Sequence, residues 1–149
     1  MTATNHALTG AIIAVAIDKP AIALPLAFFS HFAQDAIPHY GLAGHGGYKA
    51  TLKSRLSKAI MLADPIAFVP LILVLLVHQA NFWVYAAAFL ALSPDFHDFI
   101  AYFVFKKPTR FNWFSKWAST IQWCERPWGI FVEVIWYIGG LALLINLLT

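Results

Sequence analysis

The chain of 149 residues is 60% hydrophobic and only 11% charged, whereas soluble domains average about 25% charged residues. Such a chain cannot cover itself with a polar surface, so its composition favours an integral membrane protein over a soluble one. The formal net charge of +3 comes without a basic stripe, so we expect no nucleic-acid partner. The length predicts a single membrane domain, residues 1–149. The N-terminus lacks a basic region, so we expect no removable signal peptide.

Five apolar segments are predicted to be membrane helices. Breaks between them are expected at Asp18-Lys19-Pro20, in the glycine-rich stretch 40–55, and at the basic stretch 106–110. A helix over the first segment would rise only about 18 Å, against a hydrocarbon core of about 30 Å. We therefore expect the first two helices to be tilted or kinked. The five segments cover residues 6–17, 20–37, 56–78, 82–105 and 128–148.

Residues 111–125 are predicted to form a helix of another kind. Trp113, Trp117 and Ile121 recur at positions i, i+4 and i+8, and polar residues occupy the rest of the helix surface. A tryptophan-rich amphipathic helix is typical of a segment that lies in the membrane interface. The fold class predicted is thus all-α: a bundle of about five membrane helices plus one interfacial amphipathic helix.

The distribution of basic residues predicts the orientation. If successive segments cross in alternate directions, all ten Lys and Arg residues except Lys19 lie on the side of the N-terminus. By the positive-inside rule that side is cytoplasmic. We expect an integral protein of a cell membrane, with the bacterial inner membrane as the first choice.

Ionisable side chains gather at the cytoplasmic end of this arrangement. A charge within hydrocarbon costs at least about 2.5–3.5 kcal/mol on insertion scales, so such groups normally face the bundle interior and have a function. Carboxylates close together repel one another unless a cation joins them, and histidine with carboxylate is the ligand set of zinc and related divalent metals. The group comprises His6, His31, Asp35, His39, Asp64, Asp95, Asp98 and Glu133.

The spacing within "SHFAQDAIPH" (residues 30–39) supports metal binding. His31 and Asp35 are i, i+4 and project from one helix face, and Pro38 ends the turn so that His39 can approach. Asp95 and Asp98 are i, i+3. The predicted metal ligands are His6, His31, Asp35, His39, Asp95 and Asp98. A hydrogen-bonded His31–Asp35 pair without metal is the alternative.

Two short motifs resemble a known family. "HALTG" (residues 6–10) and "SPDFHD" (residues 93–98) resemble small membrane-bound metal-dependent hydrolases of the LexA-binding inner-membrane type, which are grouped with zinc-dependent phospholipase C and related nucleases. The resemblance implies that His31 and Asp35 act as a helical HxxxD metal pair. The chain reads "PDFHD" where "PDxDH" is typical, so His97 is displaced by one position and Asp98 takes the corresponding place.

The function predicted is a metal-dependent hydrolase of the cytoplasmic leaflet. Two or more divalent ions, zinc first, would act on an amphiphilic phosphoester such as a lipid head group, with Glu133 or Asp64 as general base. Membrane lipid is the expected partner. A metal or proton transporter is one alternative, although the polar groups do not cross the bilayer. A non-catalytic membrane protein with a structural metal site is the other.

Overall fold

The computed structural model describes residues 1–40, 53–105 and 112–149, and for residues 98, 99 and 101–103 it describes the backbone alone. Within these residues the chain is all-α, as predicted. A short 3₁₀ turn, Pro127–Gly129, precedes the last helix. The α-helices are α1 (Ala3–Ile17), α2 (Pro20–Asp35), α3 (Arg55–Val77), α4 (Phe82–Phe103), α5 (Trp113–Ile121) and α6 (Ile130–Leu148).

In the part of the chain that the structure describes, two helical stretches are long and apolar enough to cross a membrane, namely α3 and the stretch Pro127–Leu148 that contains α6. Only 11% of the residues in the apolar part of each are buried inside the protein. The core helices of a soluble protein would be mostly buried, and large apolar patches left exposed mark contact with a membrane or a partner. Length and composition thus support a membrane location, while the count of five membrane helices stays a prediction.

Helix α1 lies at the centre of the bundle and packs against α2, α3, α4 and α6. Small side chains dominate the core around it, as in membrane helices whose backbones approach closely. The alanines and glycine of these contacts recur mostly at spacings of three or four residues, which places them on one face of each helix. They are Ala7, Gly10, Ala11 and Ala14 of α1, Ala23 and Ala27 of α2, and Ala87, Ala88 and Ala91 of α4.

Helices α1 and α4 approach each other closely at Gly10. A Cβ atom at this position would lie 2.5 Å from the Ala87 carbonyl oxygen and 2.7 Å from the Ala91 Cβ. Neither neighbour can rotate away, because one is backbone and the other a methyl group. The glycine is therefore needed for the two helices to pack at this distance.

The helix connections described here and the predicted ionisable cluster lie at opposite ends of the bundle, and the end with the cluster is called the polar end. At one end Asp18 and Lys19, between α1 and α2, line a small cavity together with Asn81 and Trp83, which begin α4. The α1–α2 and α3–α4 connections are thus on the same side, as the alternating arrangement of segments requires. The predicted ionisable cluster lies at the opposite end.

Helix α5 is shorter than predicted, Trp113–Ile121 rather than 111–125, and residue 111 lies outside the described residues. Asn112 caps it by accepting a hydrogen bond from Ser115 N at 2.8 Å. Trp117 packs on Phe32 of α2 with ring centroids 4.6 Å apart, whereas Trp113 is 78% exposed. The helix therefore rests against the polar end of the bundle with aromatic rings directed outward, as expected of an interfacial helix.

Gly10→Ala should destabilise the protein by about 1–3 kcal/mol, the usual cost of overpacking a core. Gly139→Ala is the matched control, because a Cβ there meets nothing within 4 Å, and alanine favours a helix by about 1 kcal/mol over glycine. Thermal or denaturant unfolding in detergent micelles measures both. Equal stability of the two variants would contradict the close packing of α1 on α4.

Candidate metal centre

Asp35, the last residue of α2, is the centre of the polar end. Its side chain is only 3% exposed. Oδ1 accepts a hydrogen bond from the Met1 amino group at 2.6 Å, and Oδ2 accepts one from Gln122 Nε2 at 3.0 Å. Since Gln122 follows α5, the interfacial helix is linked directly to this buried carboxylate.

Two histidines approach the same carboxylate from different helices. His6 Nε2, on α1, lies 3.3 Å from Asp35 Oδ1, and His31 Nε2, on α2, lies 3.3 Å from Oδ2. The two imidazole rings are stacked with centroids 3.9 Å apart. Asp95 of α4 adds a second carboxylate, with Oδ1 3.7 Å from His31 Nε2. These four residues, His6, His31, Asp35 and Asp95, are called the His–Asp cluster below.

The other ring nitrogen of each histidine has an oxygen partner outside the cluster. His6 Nδ1 lies 3.1 Å from Gln34 Oε1, and His31 Nδ1 lies 2.9 Å from the Ala91 carbonyl oxygen. Both oxygens are acceptors, because Gln34 directs its Nε2 to the Asn5 carbonyl oxygen. We infer that each Nδ1 carries a proton, which leaves a lone pair on Nε2 of the neutral ring. This arrangement is the usual one for metal-binding histidine.

His39 repeats the pattern just beyond the end of α2. Its Nδ1 lies 2.8 Å from the Ile37 carbonyl oxygen, and its Nε2 lies 4.0 Å from Asp35 Oδ1 and 4.0 Å from Glu125 Oε1. The ring is buried, with its side chain 2% exposed. Three histidines therefore direct Nε2 toward one carboxylate.

The imidazole nitrogens and carboxylate oxygens of this site form a donor set that is suited to binding a cation. A neutral imidazole lone pair that faces a carboxylate oxygen gains nothing unless a proton or a metal ion lies between them. His6 Nε2 is buried and has no hydrogen-bond partner among the described residues. One ligand atom from each of His6, His31 and Asp95 lies within 4.8 Å of the others, so this trio is able to hold a metal ion.

Burial and the charges around the cluster shift the pKa values of two groups at its edge, the Met1 amino group and His39. Burial disfavours the charged form of the Met1 amino group, but the carboxylates of Asp35, Asp95 and Glu133 outweigh burial and raise its pKa. For His39, burial and the positive amino group together lower the pKa. The latter shift favours the neutral ring that metal binding requires.

Asp64 and Glu133, the two predicted general bases, both hold the start of α1. The carboxylate of Asp64 accepts hydrogen bonds from Ala3 N and Thr4 N, each at 3.1 Å. Glu133 accepts from Thr2 N at 2.8 Å and from Tyr40 N at 3.0 Å. All four carboxylate oxygens thus receive a backbone N–H, which favours a structural role. Their catalytic roles stay predictions.

The structure brings together five of the six predicted ligands: the His–Asp cluster and His39. The side chain of Asp98 lies outside the described residues. His97 lies next to α5. Its Nε2 lies 3.4 Å from Asn112 Nδ2, and its ring contacts Phe114.

Sequence reasoning missed four groups at the site. The Met1 amino group and Gln122 bind Asp35, Gln34 binds His6, and Glu125 lies beside His39. Gln34 could have been identified as a site residue from the sequence, since it lies within the same turn of helix as His31. Gln122 was visible as a polar residue at the end of α5, but nothing in the sequence indicated that this end returns to α2.

The chain matches no protein-family model, no curated protein and no solved structure.

Proposed function

We propose that the protein is a membrane-embedded metal-dependent hydrolase that cleaves an amphiphilic phosphoester at the cytoplasmic leaflet. The observation that carries the proposal is the convergence of three histidine Nε2 atoms on Asp35, at 3.3, 3.3 and 4.0 Å, with each Nδ1 next to a carbonyl or amide oxygen. The resemblance of "HALTG" and "SPDFHD" to membrane-bound metal-dependent hydrolases agrees with it.

The residues that would hold a divalent ion are those of the His–Asp cluster. Imidazole nitrogen and carboxylate oxygen suit zinc and its neighbours. When bound, such an ion polarises a phosphoryl oxygen and makes water acidic enough to attack near neutral pH. Gln34 and the Ala91 carbonyl orient the imidazoles, and outer partners of this kind commonly alter metal affinity or activity about 10–100-fold.

Unequal exposure within the cluster supports a catalytic site over a closed structural one. The side chain of Asp95 is 39% exposed, whereas those of His6, His31 and Asp35 are 0%, 3% and 3% exposed. A structural zinc site is normally closed by four protein ligands, but a catalytic site keeps a position for water. Asp95 marks the side from which water and substrate reach the cluster, and it is placed to accept a proton from that water.

The substrate class follows from the surroundings of the site. Helix α5, with its outward tryptophans, lies beside the cluster, and a tryptophan-rich helix is typical of the lipid head-group level. This supports a site at that level. Among the described residues, Lys53 and Lys116 are exposed at the same end and can attract an anionic head group. Lys49, Lys106, Lys107 and Arg110, which would add to this charge, lie outside the described residues.

The topology that this function requires is a bundle of five membrane helices with a cytoplasmic polar end. In a Cys124→Ala background, Lys53→Cys should react with an impermeant thiol reagent only from the cytoplasmic side, and Asn146→Cys only from the opposite side. Intact spheroplasts and inverted vesicles give the two accessibilities. Reaction of both cysteines from one side would rule out the proposed path of α3 to α6.

Purified protein should contain divalent metal, with zinc first, and His31→Ala should lose it. The expected loss of affinity exceeds the 10–100-fold typical of outer-partner changes, and stability should fall because clustered carboxylates then lack their cation. His78→Ala is the control, since His78 ends α3 at the opposite end of the bundle. Elemental analysis in detergent measures the content. Wild-type protein without metal above background would refute the metal centre.

Turnover of a lipid phosphoester should depend on metal and on Asp95. We expect chelators to abolish cleavage, and Asp95→Asn to reduce it by roughly 10²–10⁴-fold, the range for loss of a proton-transfer group. Asp18→Asn is the matched control, because Asp18 is an exposed residue at the far end with φ 47°, a conformation that asparagine also adopts. A metal-loaded protein inactive on a broad panel of phosphoesters would favour the structural metal site.

A further inference from the structure

The segment that follows α5 is held against His39 by backbone contacts. Arg126 N donates a hydrogen bond to the His39 carbonyl oxygen at 2.9 Å, and His39 and Glu125 pair as a short parallel bridge. Gly129 fits directly on this backbone, since a Cβ there would lie 2.0 Å from the His39 carbonyl carbon. The position of Glu125 next to His39 is thus fixed by the main chain.

We propose that His39 and Glu125 form a second divalent-cation subsite, which shares Asp35 with the His–Asp cluster. The inference rests on the proposed function, since it adds a second ion to the same centre. His39 Nε2 lies 4.0 Å from Glu125 Oε1 and 4.0 Å from Asp35 Oδ1. Glu125 was not among the ligands predicted from the sequence, and it comes from the segment after the interfacial helix.

The two distances are too long for hydrogen bonds but suit ligands of one ion. With bonds of about 2.1 Å, two ligands of a tetrahedral zinc lie about 3.4 Å apart. Shifts of a few tenths of an ångström in flexible side chains therefore close the subsite. His39 Nδ1 is next to the Ile37 carbonyl oxygen, so the Nε2 lone pair faces two carboxylates. A cation resolves this arrangement, as it does for His6 and His31.

The subsite has a partly exposed ligand of its own. The Glu125 side chain is 20% exposed, against 3% for Asp35. Asp35 contacts both groups through Oδ1, which faces His6 of the cluster and His39 of the subsite. The same oxygen accepts the hydrogen bond of the Met1 amino group, which an ion bound to it would displace. Two ions that share a carboxylate are able to stabilise both the attacking and the leaving oxygen of a phosphoester.

Zinc stoichiometry tests the subsite. The detergent-purified full chain is saturated with Zn²⁺, dialysed and analysed for metal per chain, and binding is followed by calorimetry. We expect two ions in wild type, one in Glu125→Gln and one in His39→Asn. Arg126→Gln should keep two, because its side chain is exposed and bonds locally to the Glu125 carbonyl oxygen. Thermal unfolding and the retained first ion show whether each variant is folded.

The outcomes separate this inference from the proposed function. One ion in wild type, or two ions in both Glu125→Gln and His39→Asn, would overturn the second subsite and leave the metal centre intact. Loss of both ions in a folded Glu125→Gln protein would also overturn it, because the sites would then not be separate. No ion in wild type would overturn both proposals. Loss of one ion from both variants, with Arg126→Gln unchanged, supports the subsite.

Discussion

The structure depends on how the first turn of α1 is held. Its exposed N–H groups and the amino group before it meet three carboxylates from three surrounding helices: Asp35 of α2, Asp64 of α3 and Glu133 of α6. Free N–H groups and the positive end of the helix dipole favour negative charge at this end. These contacts fix α1 as the central helix, and they place His6, one turn further along, inside the cluster. The fold and the candidate site therefore share the same anchoring.

The lengths of the helices bear on how deep the site lies. Helices α1 and α2 contain 15 and 16 residues, which corresponds to about 22–24 Å against a hydrocarbon core of about 30 Å. A pair of helices this short leaves its polar end below the level reached by α3, unless the bilayer thins around it. In the proposed topology the cluster would lie slightly inside the membrane surface, where α5 can cover it. A substrate with one end in the lipid and one in water suits such a depth.

The sequence allowed much of this arrangement to be predicted. Apolar stretches and their breaks gave the helices to within a few residues. This includes α3, which was predicted as one segment and continues through Pro65 and Pro70. The i, i+4 spacing of His31 and Asp35 gave the pair at the centre of the site. Hydrogen bonds between a side chain and backbone N–H groups leave no pattern in the sequence. The anchoring of α1 by Asp64 and Glu133 was therefore not predicted. The return of residues 122–129 to His39 was missed for the same reason.

The interfacial helix and the buried centre are joined through Asp35 and His39. Gln122 binds one Asp35 oxygen at 3.0 Å, and the backbone of Arg126 binds His39, so any shift of α5 acts on groups within the centre. Metal binding commonly contributes to folding free energy, because a metal site rarely exists in the unfolded chain. Ions at this centre would therefore also fix the position of α5 at the membrane surface. In the proposed hydrolase, metal loading and access from the lipid would then be coupled by a few contacts between α2 and the segment after α5.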